Sequence, residues 1–148
     1  MYRYQILVEY VGTKFIGWQK QLKGKSIQKE IENKLSKLLK QKITIYGSGR
    51  TDAGVHALEQ SAHFDTKLNI KEVKKFIKSM NFFLNPKKIS IINIYKRKKK
   101  FHARYSAKER IYKYFIINRL AAPTLENERA WHIRKKLNIK LLKKGAKK

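Results

Sequence analysis

Two segments of helical period, each set between strand-like runs, give this chain its outline. Ile27, Ile31, Leu35, Leu38 and Leu39 keep to one face over about residues 27–41, with Ser26 in front of them as an N-cap. A second run, about 70–84, puts Ile70, Val73, Phe76, Ile77, Met80 and Leu84 on one face. Asn69 is its expected cap and Asn85-Pro86 its stop. Strand-like stretches fall around these helices: "RYQILVEY" (3–10), "KITIY" (42–46), "LEQSAHFDT" (58–66) and "ISIINIY" (89–95). The order β-α-β-β-α-β predicts a ferredoxin-like α+β fold, a mostly antiparallel sheet with both helices on one face. An added strand is expected over "ERIYKYFII" (109–117), and "NIKLLKKGAKK" reads as the opening of a third amphipathic helix.

At 148 residues, 42% hydrophobic and 11% aromatic, the chain can bury a core and is not globally disordered. No cysteine is present, which excludes disulfides and thiolate metal sites. No apolar run approaches the ~18 residues of a membrane span. "MYRYQILVEY" enters a strand pattern directly, without the features of a signal peptide, so the expected location is cytoplasmic.

The formal charge is +27, from 37 Lys and Arg against 10 Asp and Glu. Of the basic residues 29 are Lys, beside 17 Ile and 8 Asn, the profile that codon bias in an AT-rich genome writes. Part of the excess is therefore solvated surface. The rest is clustered: "YKRKKKFHAR" holds six basic residues in ten, and eight of the last fifteen residues are basic. Such clusters favour a polyanionic partner, nucleic acid above all.

Only two of the acids are aspartates, and one, Asp52, lies in the glycine-punctuated stretch "GSGRTDAGVHA" (47–57). The dinucleotide fingerprint fails there because Asp52 stands where a third glycine is needed. The phosphate-binding P-loop pattern fails because Val55 and His56 replace its Lys and Ser/Thr. His56 and His63 offer no third metal ligand, so each reads as structural. Two readings fit the loop itself. It can be a plain turn joining two strands, or a site where Arg50 pairs with Asp52 and keeps it ionised for chemistry at a sugar carbon. The glycines would let backbone N–H groups approach a phosphodiester.

The stretch resembles the catalytic signature of the tRNA pseudouridine(38-40) synthases, which modify the anticodon stem-loop. Further matches follow in order. "KFIGWQKQ" resembles the family's Phe-x-Gly-Trp-Gln segment, and "SIQKEIE" the helix start after it. "FHARYSAKERIYKYFI" resembles the segment that carries the active-site tyrosine. "MNFFLNPKKISI" matches the Asn-x-x-Leu-Pro stretch more loosely, because Asn85 precedes Pro86.

The resemblance implies that Asp52 is the catalytic aspartate, acting as nucleophile or base, and that Arg50 orients it and holds a flipped nucleotide. It implies that Tyr112 stacks on the target uracil. Read from the strand pattern alone, Tyr112 and Tyr114 share a face and would be core aromatics; Phe15 and Trp18 read as anchors of fold or loop. The implied reaction flips a uridine out of the RNA stack and needs no cofactor and no metal. The implied partners are tRNA and, for full-length members, a second copy in a homodimer, with no membrane. Family members are longer, with a second half resembling the first. Residues 1–148 are therefore expected to form the N-terminal catalytic half of the pseudouridine synthase fold without its C-terminal half, with about 118–148 as connection and start of the second half. The competing expectations are an RNA-binding module without catalysis and a glycoside hydrolase. The hydrolase would need a second acid, for which Glu59 and Asp65 are the candidates.

Overall fold

The first strand, β1 (Tyr2–Tyr10), sets the sheet's two faces by simple alternation. Tyr4, Ile6, Val8 and Tyr10 are buried, while Arg3, Gln5, Leu7 and Glu9 look to the other side. A computed structural model describes residues 1–146; Lys147 and Lys148, the end of the basic C-terminal run, lie outside the described residues. After β1 come α1 (Ile27–Leu39), β2 (Ile45–Gly47), β3 (Ala57–Thr66), α2 (Val73–Leu84) and β4 (Ile89–Arg97). The four strands form one sheet in the order β2-β3-β1-β4, every neighbouring pair antiparallel. This is the expected α+β, ferredoxin-like connectivity.

Both helices bury the faces read from their periodicity. Ile27, Ile31, Leu35 and Leu39 of α1 and Met80 and Leu84 of α2 join the core, with Leu38, Ile70, Val73, Phe76 and Ile77 packed against it. Ser26 caps α1 as expected, its side chain accepting from the Lys29 N–H at 3.2 Å. Asn69 does not cap α2. The buried Tyr4 hydroxyl needs a partner and donates to Asn69 Oδ1 at 3.1 Å, while accepting from the Ile70 N–H at 2.8 Å. The helix therefore starts only at Val73. β2 is also shorter than expected, because the Ile43 N–H goes to Ser36 Oγ rather than to a strand.

The chain divides into two compact units, Met1–Glu109 and Arg110–Lys148. The second contains β5 (Ile116–Asn118), β6 (Trp131–Ile133) and α3 (Ile139–Gly145). β5 and β6 pair in parallel as a separate two-stranded sheet. The added strand expected over 109–117 is thus reduced to β5 and does not extend the four-stranded sheet. Residues 111–115 are all exposed, and an alternating pattern with no face to bury has nothing to hold it in a ladder. α3 is capped by Asn138, which accepts from the Leu141 N–H at 3.1 Å, and Leu141 and Leu142 remain exposed.

Candidate active site

Residues 48–56 connect β2 to β3, and their backbone is fastened from below by the segment after β1. The Trp18 N–H donates to the Thr51 carbonyl at 3.0 Å, and the Gly54 N–H to the Phe15 carbonyl at 3.4 Å. The Gly12 N–H donates to His56 Nδ1 at 3.0 Å. On the other flank the Ser48 N–H reaches the Ser61 carbonyl at 2.7 Å, and Gln60 Nε2 the Gly49 carbonyl at 2.7 Å. Asp52 opens a turn closed by the Val55 N–H on its carbonyl at 3.3 Å. Gly54, at φ 80°, supplies the left-handed position that this turn requires.

Close packing accounts for Gly12 on the facing segment and for Gly47 at the end of β2. A Cβ on Gly12 would lie 2.0 Å from the Val55 carbonyl oxygen, and one on Gly47 would lie 2.7 Å from Trp18 Nε1. Phe15 and Trp18 are buried, so both are anchors of the loop, as read from the sequence. Their segment is tied in turn to α1. The buried Gln28 side chain accepts from the Lys20 N–H and donates to Glu32 Oε1 and the Ile45 carbonyl; Glu32 Oε1 also accepts from the Ile45 N–H. One polar pair on α1 thereby fixes the start of β2 and the chain beyond Trp18.

Thr51 and Tyr10 are residues that sequence reasoning missed. The Tyr10 hydroxyl and Thr51 Oγ1 lie 2.8 Å apart, so the residue before Asp52 is held through both its side chain and its carbonyl. Burial pushes the Tyr10 phenol up, with the Thr51 hydrogen bond pulling the other way. One signal was available: a tyrosine closing the buried face of a strand needs a partner for its hydroxyl.

Asp52 itself is exposed, and so is Arg50, two residues earlier on the same loop. The ion pair expected between them is not formed among the described residues. Both charges face solvent, where such a pair gains less than about 1 kcal/mol. Tyr112 belongs to the second unit and is 65% exposed; Tyr114 is exposed too, so neither is a core aromatic. His56 and His63 each accept a backbone N–H, from Gly12 and from Ala103, which is the structural role expected of them. Of the acids considered for a hydrolase, Asp65 is engaged by Arg3 in a two-pronged ion pair at 2.7 and 2.8 Å. That contact holds its carboxyl below the usual range. Glu59 is exposed on β3. Among the described residues no group of three His, Asp, Glu or Cys side chains converges as a metal site, and no helix is long and apolar enough to cross a membrane.

Residues 6–106, which take in the four-stranded sheet from the middle of β1 onward, α1, α2 and the Asp52 loop, match the tRNA pseudouridine synthase family model. Over all 148 residues the chain is 66% identical to the tRNA pseudouridine synthase A of Pelagibacter ubique, covering 60% of that protein. It is 49% identical over 138 residues to the protein of the same name from Ehrlichia chaffeensis, which pairs 93% of this chain with 56% of the relative. With that of Anaplasma marginale the identity is 44% over 147 residues, 97% of this chain and 59% of the relative. The chain thus spans somewhat under two thirds of the length of these curated relatives. It belongs to the tRNA pseudouridine synthase family.

Proposed function

We propose that Asp52 is the catalytic carboxylate of a uridine-to-pseudouridine isomerase acting on the anticodon stem-loop of tRNA. Arg50 holds the flipped nucleotide and orients the aspartate once RNA is bound, and Tyr112 stacks on the uracil. The observation that carries this reading is the setting of Asp52. A lone exposed carboxylate stands on a loop whose neighbouring backbone groups are fixed by hydrogen bonds to residues 12–18 and 60–61. A plain turn would not require a buried tyrosine and a buried tryptophan to grip the residue before its aspartate.

In the proposed reaction the target uridine leaves the stack at a cost of a few kcal/mol. Asp52 attacks the anomeric carbon or removes a proton from the neighbouring sugar carbon. The bond from the sugar to the uracil nitrogen breaks, the base turns while held, and its carbon five bonds to the sugar. Carbon five loses a proton and the freed nitrogen gains one, so the mass of the RNA is unchanged.

The test joins residues 1–148 to the part of the Pelagibacter relative that they do not match, and maps pseudouridine chemically in unmodified tRNA. The hybrid is expected to modify the anticodon stem-loop. Asp52→Asn should lower the rate at least about 10³-fold while tRNA affinity stays nearly unchanged, since the nucleophilic or basic oxygen is lost and the shape kept. Turnover by the Asn variant near the parent rate would remove Asp52 from the chemistry. Tight binding with no modification by the hybrid would leave an RNA-binding module as the better reading.

A further inference from the structure

We propose that the helix-free face of the sheet carries a stacking site for unpaired RNA bases, a ladder formed by Tyr46, His63, His102 and Tyr105. The proposal rests on the RNA-substrate reading above, and it concerns residues apart from the Asp52 loop. By register Tyr46 lies beside His63, and His63 beside Gln5, all on the face opposite the core. The rings follow one another closely. Tyr46 stacks on His63 at 5.2 Å between centroids, His63 meets His102 edge-on at 4.6 Å, and His102 meets Tyr105 at 4.4 Å.

The inner rungs are structural and the outer ones are not. His63 is 2% exposed and accepts the Ala103 N–H at 3.1 Å, which pins the loop after β4 to the sheet. That loop is otherwise fixed by the Ser106 N–H on the His102 carbonyl, the His102 N–H on Ser106 Oγ, and Arg3 on the carbonyls of Lys99 and Phe101. Tyr105, 79% exposed, and Tyr46, 52% exposed, end the ladder in solvent. Tyr105 meets the protein through the His102 ring and leaves most of its own ring to solvent.

Charge identifies the occupant. The same loop forms a groove of about 500 Å³ lined by Lys96, Arg97, Lys98, Lys100, Phe101 and Ser106. Rigid exposed aromatics beside a cationic groove are the combination that binds single-stranded nucleic acid: the cations follow the backbone and the rings take the bases. At its other end the ladder reaches Tyr46, next to the residues that lead into the Asp52 loop. It is therefore placed to hold a base neighbouring the one presented for isomerisation.

The experiment measures binding of residues 1–148 to a fluorescein-labelled oligouridylate about 12 nucleotides long, within the range of single-strand site sizes, across a salt series. Tyr105→Ala should weaken binding about 5- to 150-fold, the equivalent of the roughly 1–3 kcal/mol of one base–aromatic stack, with the salt slope unchanged. Tyr105→Phe should restore affinity. Phe82→Ala, which removes an exposed aromatic from α2, should have no effect. Thermal melts of each variant confirm that the fold is kept, as the exposure of Tyr105 leads one to expect. Affinity of the Ala variant within about twofold of the parent would overturn the proposal, as would an equal loss in the α2 variant. Competition by polyglutamate as effective as that by RNA would also overturn it, because the surface would then read charge and not bases. The oligomer has no anticodon stem and is scored by binding alone, so this result and that of the Asp52→Asn experiment can fail separately.

Discussion

Gly17 shows how narrowly the Asp52 loop is fitted to its support. Its φ is 109°, in the left-handed region, and a Cβ there would lie 2.5 Å from the Thr51 carbonyl oxygen that Trp18 must reach. Gly17→Ala is expected to cost about 1–3 kcal/mol, because backbone strain and a displaced carbonyl act together. Chemical denaturation measures the loss, and faster amide exchange at Trp18 and Gly54 would locate it in the loop. Much at this scale could be read in advance. Aromatic residues next to glycine in "KFIGW" announce an anchor that meets backbone closely, and both Phe15 and Trp18 are buried. The contact of Tyr10 with Thr51 could not be read, because it joins residues 41 apart whose meeting is decided by strand register. The Arg50–Asp52 pair was expected from spacing and from the family resemblance, and neither says whether solvent competes for both charges.

Among the elements, periodicity located the strands and helices of the first unit well, and capping chemistry placed one helix start of two. The Ser26 side chain is given to the Lys29 N–H, whereas Asn69 is taken by a tyrosine from β1, a tertiary contact invisible in the local sequence. The strand expected over 109–117 is shortened to β5 for a related reason: alternation specifies a strand only when one face has something to cover it. A pH dependence belongs to the contact between β3 and the loop after β4. Burial, then the charge of Arg3 and the neighbouring His102, holds His63 down to about 4, against the opposing pull of Asp65 and the Tyr46 backbone. The unfolded chain binds a proton near 6.5 and the folded chain does not. The stabilisation is therefore complete above pH 6.5 and is lost as pH falls toward 4. Its full size is at most about 3 kcal/mol. Melting temperature should drop across that window, and His63→Asn should flatten the dependence. The Arg3–Asp65 pair is lost in more acidic solution, below the ordinary carboxylate value of 3.8, so the two effects separate along the pH axis.

For the molecule as a whole, the charge of +27 was legible from composition, but which lysines act on a partner was not. The groove beside β4 gathers Lys96, Arg97, Lys98 and Lys100 in one place, which makes this cluster the one to test. Replacing Lys98, Lys99 and Lys100 together by Gln should lower the log–log salt slope of tRNA binding by about 2 to 3, since each phosphate contact contributes about 0.7–0.9. Filter binding from low to moderate salt measures it; an unchanged slope would return these lysines to solvated surface. The hydrogen bonds that hold residues 48–56 also bear on time. Because the loop is ordered when the first unit folds, its entropy of ordering is incurred then and not at each encounter with RNA. On the proposed reading, capture of a nucleotide at Asp52 then waits on how often a base leaves its stack and on the Arg50 side chain closing on it, and not on ordering of the loop backbone.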